Sequence, residues 1–434
     1  MKNTICLFAL VMLLPLFSEA QDKKEEAKYG ISFSGFIKND FFLDTRESYT
    51  IREGHFLLYP KEVSPDSEGN DINDKSSFNF LSIQTRITGK ISAPDAFGAK
   101  TSGVLEADFF GNENAAFVDA NGFRLRHAFV KLNWAKTELL TGQYWHPFFI
   151  PGCFSGVISF NTGAPMQPFS RNPQIRLTHK PGKLSFAAAL SAQRDFTSPQ
   201  GSASLRYSSI PDLSAMISYE SKNADKKTDL LTGMALDYKI LQPLLSTTKG
   251  TQTFITNEKI SGLSVTAYIR YKNPAYTIKL QGILGQNLFD LIMLGGYAVH
   301  SVTDTTRNTV DYTAMKNLAG WAEFNTNGEK IQFGLWTGYT KNLGAGENIL
   351  AYSNKAGGTD ATVRGANVKS ILRLSPRIIF ISGKFNFASE LEYTNTAYAT
   401  KDAYGILNRD EKGVITDAES VSNIRLLLSV IYNF

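Results

Sequence analysis

Charged side chains at alternate positions of otherwise apolar segments are the groups in this chain best placed to act on a solute. Arg86 and Lys90 share the polar side of Ser77–Ser92, Glu106 and Asp108 that of Thr101–Phe110, and Gln174, Arg176 and Lys180 recur at even spacing further on. Facing a common cavity, such charges would orient hydrated ions and exclude apolar molecules. Covalent chemistry has no comparable signature. The five histidines, His55, His127, His146, His179 and His300, are scattered and belong to no recognisable acid–base constellation. Cys153, the one cysteine beyond Cys6, has no motif around it and reads as a structural loop residue. The acidic tract Asp66–Asp74 lacks the full calcium-loop pattern and reads as a solvated loop; no zinc or nucleotide motif occurs. No enzyme activity, cofactor or metal is expected. A formal charge of +5, evenly spread, gives no argument for a nucleic-acid partner.

Alternation of this kind needs strands to present it. The last segment shows it most clearly: Ile424, Leu426, Leu428, Val430, Tyr432 and Phe434 share one face, and Arg425, Ser429 and Asn433 the other. An aromatic strand face at a terminus frays in water, whereas a closed membrane barrel needs such a strand to pair with its first. After the leader no run of about 18 apolar residues occurs, which excludes helical spans, while alternation hides barrel strands from a hydropathy scan. Aromatics at 12%, nearly all Phe and Tyr, read as a rich core or as two interfacial girdles. Lys2, the apolar run Ile5–Phe17 and Ser18-Glu19-Ala20 before Gln21 read as a cleavable secretory signal, residues 1–20, ahead of one domain over 21–434. The expected class is all-β, an antiparallel up-and-down transmembrane barrel of roughly 16 to 18 strands.

Short connections are read at Ala135–Thr137, Pro181–Lys183, Pro211–Asp212, Lys272–Ala275, Asn325–Gly328 and Ser382–Lys384, and long polar ones near 222–229, 301–315, 342–365 and 397–420. Short turns at one end and long loops at the other are the asymmetry of an outer-membrane barrel. Gln242–Lys259 is too long for an ordinary turn, and Ile51–Pro60 reads as a strand or as part of a loop, so strand parity stays open. The connection from Trp145 to Gln174 carries Pro147, Pro151, Pro165, Pro168 and Pro173 with Phe148, Phe149, Phe154, Phe160 and Phe169. Restricted backbone and that aromatic content argue against disorder, and favour a loop folded inward onto the lumen wall over an outward lid.

The polar faces place Arg86, Lys90, Glu106, Asp108, Lys131, Gln174, Arg176, Lys180, Arg206 and Arg270 in the lumen. Arg86 and Arg176 are expected to oppose Glu106 and Asp108, with Arg171 at the end of the loop, setting up a transverse field. Mutual pairing that merely keeps the lumen wet is the equal alternative. Arg124 and Arg126 break the pattern. With Ala128, Val130, Leu132 and Trp134 outward, the two arginines share the lipid face, unless a bulge turns them inward or a subunit contact or lipid phosphate covers them. The bulge and the subunit contact are favoured.

Leu125-Arg126-His127-Ala128-Phe129-Val130-Lys131-Leu132, Gly142-Gln143-Tyr144-Trp145, Phe169-Ser170-Arg171-Asn172-Pro173-Gln174, and Asn287 with Gly295-Gly296-Tyr297 resemble patches of the porin-like outer-membrane proteins of Bacteroidota. The layout is similar to that of the DcaP-type trimeric porins, and Tyr432 with Phe434 resembles the terminal assembly signal of outer-membrane barrels. The resemblance implies a homotrimer in the bacterial outer membrane, bordered by lipid and lipopolysaccharide and inserted by barrel-assembly machinery. It further implies passive diffusion of small hydrophilic, often anionic, solutes past the loop at 145–174. Selectivity is then expected from Arg86, Glu106, Asp108, Arg171 and Arg176. The alternatives are a substrate-specific channel for sugar or phosphate, and a non-conducting adhesin or scaffold barrel, which has no need of a proline-rich inward loop.

Overall fold

The computed structural model describes residues 29–110, 122–355 and 361–434; the expected signal, 1–20, lies outside them. The alternating segments form β1 (Gly30–Asp44), β2 (Arg86–Ala96), β3 (Ala99–Asp108), β4 (Arg124–Asn133), β5 (Thr137–Trp145), β6 (Arg171–His179), β7 (Leu184–Ser191) and β8 (Asp212–Asn223). β9 (Thr228–Leu241), β10 (Ile260–Lys272), β11 (Tyr276–Gln286), β12 (Thr309–Thr326), β13 (Ile331–Ala345), β14 (Val368–Ser382), β15 (Phe385–Ala399) and β16 (Ala418–Asn433) complete the set. Each pairs antiparallel with the next, and β16 returns to β1 from Phe36↔Asn433 to Asp44↔Arg425, closing a 16-strand barrel. Closure removes both sheet edges and pairs backbone groups that lipid could not satisfy.

Side-chain alternation decides which face is which. Along β16, Ile424, Leu426 and Leu428 are exposed while Asn423, Arg425, Leu427 and Ser429 are buried, so the apolar face of the last segment is the outer one. Outward Phe324, Phe333, Phe380, Phe385 and Phe387 gather toward the short-turn end, where a lipid–water girdle belongs. The seam is tight: Gly35 and Phe434 exchange backbone hydrogen bonds at 3.2 and 3.1 Å. A Cβ on Gly35 would lie 2.2 Å from the Arg86 carbonyl oxygen and 2.8 Å from the Phe434 ring. Gly35→Val is therefore expected to deplete the heat-resistant folded form, scored by gel migration with and without boiling. Wild-type yield would show that the seam tolerates a side chain.

Strand parity resolves at 16 because Gln242–Lys259 lies at the long-loop end, where Ser246–Lys249 and Gln252–Ile255 form a small hairpin. Segment 222–229 is not a long loop: Lys222 pairs with Asp229 at the ends of β8 and β9, leaving only 224–227 as the turn. Solvated strand ends carry the same charges as loops, so composition alone misplaces them. Pro211–Asp212 is no tight turn either, but the end of the connection 192–211, which holds the short helix Ala203–Ser208. Arg206 rides on that helix and borders a groove on the outer surface instead of the lumen. In the second stave, Ser77–Leu81 and β2 both pair with β1, but the ladder lapses over 82–85. Parity shifts there: Phe78, Phe80, Ile87 and Ile91 are exposed, Ile83 is buried in the interior and Leu81 packs against it. Ile51–Pro60 belongs to a hairpin, Ser48–Ile51 with Phe56–Pro60, whose Phe56 and Leu57 are fully buried.

Candidate functional site

The connection from β5 to β6, residues 146–170, folds into the barrel, as its prolines and aromatics imply. Pro147, Pro165, Pro168 and Phe169 are buried, Pro151 stays exposed, and Trp145 closes β5. Phe160 stacks on Phe110 with ring centroids 4.1 Å apart, and Trp145 on Phe149 at 3.7 Å. These rings join Phe56 of the first hairpin, Met166, Trp321 and Trp336 in one apolar cluster inside the barrel.

A chain segment without a ladder must satisfy its buried backbone groups elsewhere. Here the far wall supplies the partners. The Gly156 N–H donates to Glu323 of β12 at 2.6 Å, and those of Ile158 and Ser159 to Glu390 of β15 at 2.6 and 3.2 Å. The Asn161 amide donates to Glu392 at 2.7 Å. Cations hold the carbonyls: Arg270 of β10 reaches Gly152 at 2.7 Å, Lys38 of β1 reaches Ile158 at 2.6 Å, and Arg373 of β14 reaches Ala164 at 2.8 Å. A Cβ at position 156 would sit 2.5 Å from Glu323 Oε1, so any side chain there must displace the carboxylate that holds the loop. Glu390→Gln strips the charge and leaves one acceptor oxygen for two donors, weakening the loop's hold by about 1–3 kcal/mol. The expected reading is flicker between conductance levels in single-channel records; traces as quiet as wild type would make the staple dispensable.

The near wall carries the other charges. On β3 and β4 the register slips between Glu106↔His127 and Ala107↔Leu125, a bulge that turns Arg124 and Arg126 inward and leaves Leu125 exposed. Arg124 grips Asp108 with two bonds of 3.0 and 2.8 Å, and Arg126 bridges Glu106 and Asp108 at 2.8 Å each. Arg171 holds Asp195 at 2.7 Å, and Arg86 lies 3.7 Å from Glu106. Arg171 and Arg126 also stack over the Trp145 ring, at 5.0 and 5.8 Å. Acidic and basic groups are thus interleaved on one wall and do not oppose each other: Arg86 faces Asp108 across adjacent strands. Arg176 stands apart. It donates to the Gln174 side chain at 3.0 Å and the Trp145 carbonyl at 2.7 Å, and borders a cavity of about 510 Å³ with Lys131, Glu138, Lys180 and Lys183.

Asp195 and the stapling carboxylates escaped the sequence reading. Glu390 and Glu392 alternate along β15 as plainly as Glu106 and Asp108 do along β3, so the same rule could have found them. Asp195 lies outside any strand and gives no such signal. Burial pushes the Cys153 thiol up to about 11, and its S–H faces the Ile269 carbonyl at 3.4 Å, which suits a structural residue. In the acidic tract, Asp66 accepts the Glu68 and Asn70 N–H groups at 2.8 Å each and Asp71 pairs with Arg46 at 2.6 Å, so these carboxylates are used within their own loop.

No protein-family model matches the chain, and a search of curated proteins finds no relative. Solved structures do resemble it. The outer membrane channel DcaP of Acinetobacter baumannii superposes with a TM-score of 0.64 at 15% identity, covering 94% of this chain and 97% of that one. Outer-membrane expressed OmpT of Vibrio cholerae gives a TM-score of 0.51 at 10% identity, covering 95% and 99%. At these identities the likeness carries the fold, and the fold of this chain is that of the outer-membrane porin barrels.

Proposed function

We propose that the protein is a passive porin of the bacterial outer membrane, not an enzyme, that admits small hydrophilic solutes with a preference for anions. The observation that carries this reading is the loop 146–170, which crosses the lumen and is bonded to the far wall while a wall of arginines lines the near side. A barrel that served only as a scaffold has no use for such a partition. Among the described residues, four arginines (Arg86, Arg124, Arg126, Arg171) meet three carboxylates (Glu106, Asp108, Asp195) there, and Arg52 also acts on Asp195, so cations predominate. Beyond them, Arg176, Lys131, Lys180, Lys183 and Lys222 outnumber Glu138 and Glu220 around the cavity at the short-turn end. A net positive, wet path between low-dielectric walls attracts anions and discriminates weakly among them.

Homotrimer formation belongs to the same proposal. β3 to β7 have only 8 to 10 residues, against 15 to 18 in β12 to β16, and the outer face over β2 to β5 holds a groove of about 730 Å³ edged by Ile91, Leu105 and Val130. Strands so short barely match the lipid core, and a second copy of the chain would cover them. Lipid and lipopolysaccharide would border the remaining apolar belt, and Tyr432 with Phe434 would serve the assembly machinery as its signal. Liposome swelling tests the channel directly. Vesicles carrying the protein should swell faster in a small organic anion than in a neutral sugar of similar size, and equal impermeability to both would overturn the proposal.

A further inference from the structure

One buried cluster has no part in the path described above. His146, the first residue of the inward loop, meets Asp212 at the start of β8 and Asp237 on β9. All three are buried, and one ligand atom from each lies within 4.8 Å of the others. His146 Nε2 is 3.4 Å from Asp237 Oδ1 and 3.7 Å from Asp212 Oδ2, too long for good hydrogen bonds. His146 Nε2, both Asp212 carboxylate oxygens and Asp237 Oδ2 have no hydrogen-bond partner. Two ligand atoms bound about 2.0–2.1 Å from a tetrahedral zinc ion lie about 3.3–3.4 Å apart, against 3.4 and 3.7 Å from His146 Nε2 to Asp237 and Asp212.

Charge balance points the same way. Lys239 is the nearby cation, but its ammonium pairs with Asp290 at 2.5 Å, both groups fully buried, and the other Asp290 oxygen accepts from Gln193 at 3.0 Å. Ser214 gives Asp237 one hydrogen bond of 2.7 Å. With Lys239 already paired, Asp212 and Asp237 are two buried carboxylates beside a single imidazole, which even when protonated cancels only one of their charges. A divalent cation cancels both.

We propose that His146, Asp212 and Asp237 bind a zinc ion, with a water in the fourth position. One imidazole nitrogen beside two carboxylates suits zinc better than calcium or magnesium, which take oxygen ligands. Ligation through Nε2 places the ring proton on Nδ1, so the 3.2 Å approach of the Phe148 N–H to that atom opens on binding. The ion ties the root of the loop to β8 and β9, complementing the carboxylate staples nearer its tip. Sequence motifs miss the site because its ligands come from three separate elements.

The test uses the mature chain, folded in detergent, stripped with a chelator and titrated with Zn²⁺ or Co²⁺. Expected are about one equivalent of zinc per chain, a rise in melting temperature on zinc addition, and the visible absorption of tetrahedral cobalt. His146→Ala and Asp237→Asn should each lose that equivalent. Failure of the wild-type protein to take up zinc, or uptake undiminished in both variants, overturns the proposal. Should a variant not fold, the wild-type cobalt spectrum decides alone, and absence of the tetrahedral band overturns it. Metal content is read on folded protein whether or not it conducts, so this outcome is independent of the porin reading.

Discussion

Replacing residues 152–167 by a short glycine–serine linker is expected to raise single-channel conductance several-fold while leaving a folded barrel. β5 and β6 pair directly from Thr137↔His179 to Trp145↔Arg171, so closure of the wall does not depend on what joins their upper ends. The excised stretch contains Phe160, Ala164 and Met166, which fill the centre of the interior cluster. It also contains the groups that occupy Glu323, Glu390, Glu392, Arg270 and Arg373. Those wall charges would meet water in place of amides, which a wet lumen accommodates. The exposed Trp321 and Trp336 make some loss of thermal stability the expected accompaniment. Conductance unchanged by the excision would remove the loop from the constriction.

Arg126→Ala should be the most damaging single substitution on the near wall. Arg126 is 2% exposed and bridges Glu106 and Asp108, so its loss removes charge-assisted bonds worth about 1–3 kcal/mol while Arg124 still holds Asp108 and Arg86 stays 3.7 Å from Glu106. It also removes one positive charge from a wall on which, among the described residues, arginines outnumber carboxylates. Two readouts follow: a lower melting temperature, and a reversal potential in a salt gradient that moves toward cations. Arg126→Lys keeps the charge but not the fork that spans both carboxylates, so selectivity should survive better than stability. Lost stability with unaltered selectivity would reduce the cluster to a structural role.

The barrel was legible in the sequence wherever a strand has one wet face and one lipid face. β16 and β3 are such cases, and their inward residues follow from period two alone. The reading faltered where that contrast lapses. Ile83 looks like a lipid-facing residue until the break at 82–85 shifts the register and the inward hairpin gives it apolar neighbours. Lys222 and Asp229 look like loop residues because a strand end at the water interface is as polar as a loop. At the candidate site, the bulge was legible as one way out of a conflict, beside a subunit contact or a lipid phosphate, since alternation put Arg124 and Arg126 on the lipid face. Interleaving of the charges was not, because alternation says which face a residue takes and nothing about which strand stands opposite. Asp195 and the partners of the loop backbone depend on long-range contacts that no local pattern encodes.

Single-channel recording in a planar bilayer under a salt gradient tests most directly whether this barrel conducts past its inward loop. Stepwise, ohmic openings are expected, with a reversal potential whose sign reports anion preference. Protein that inserts in its folded, heat-resistant form and never opens would contradict the porin reading and leave an adhesin or scaffold barrel in its place.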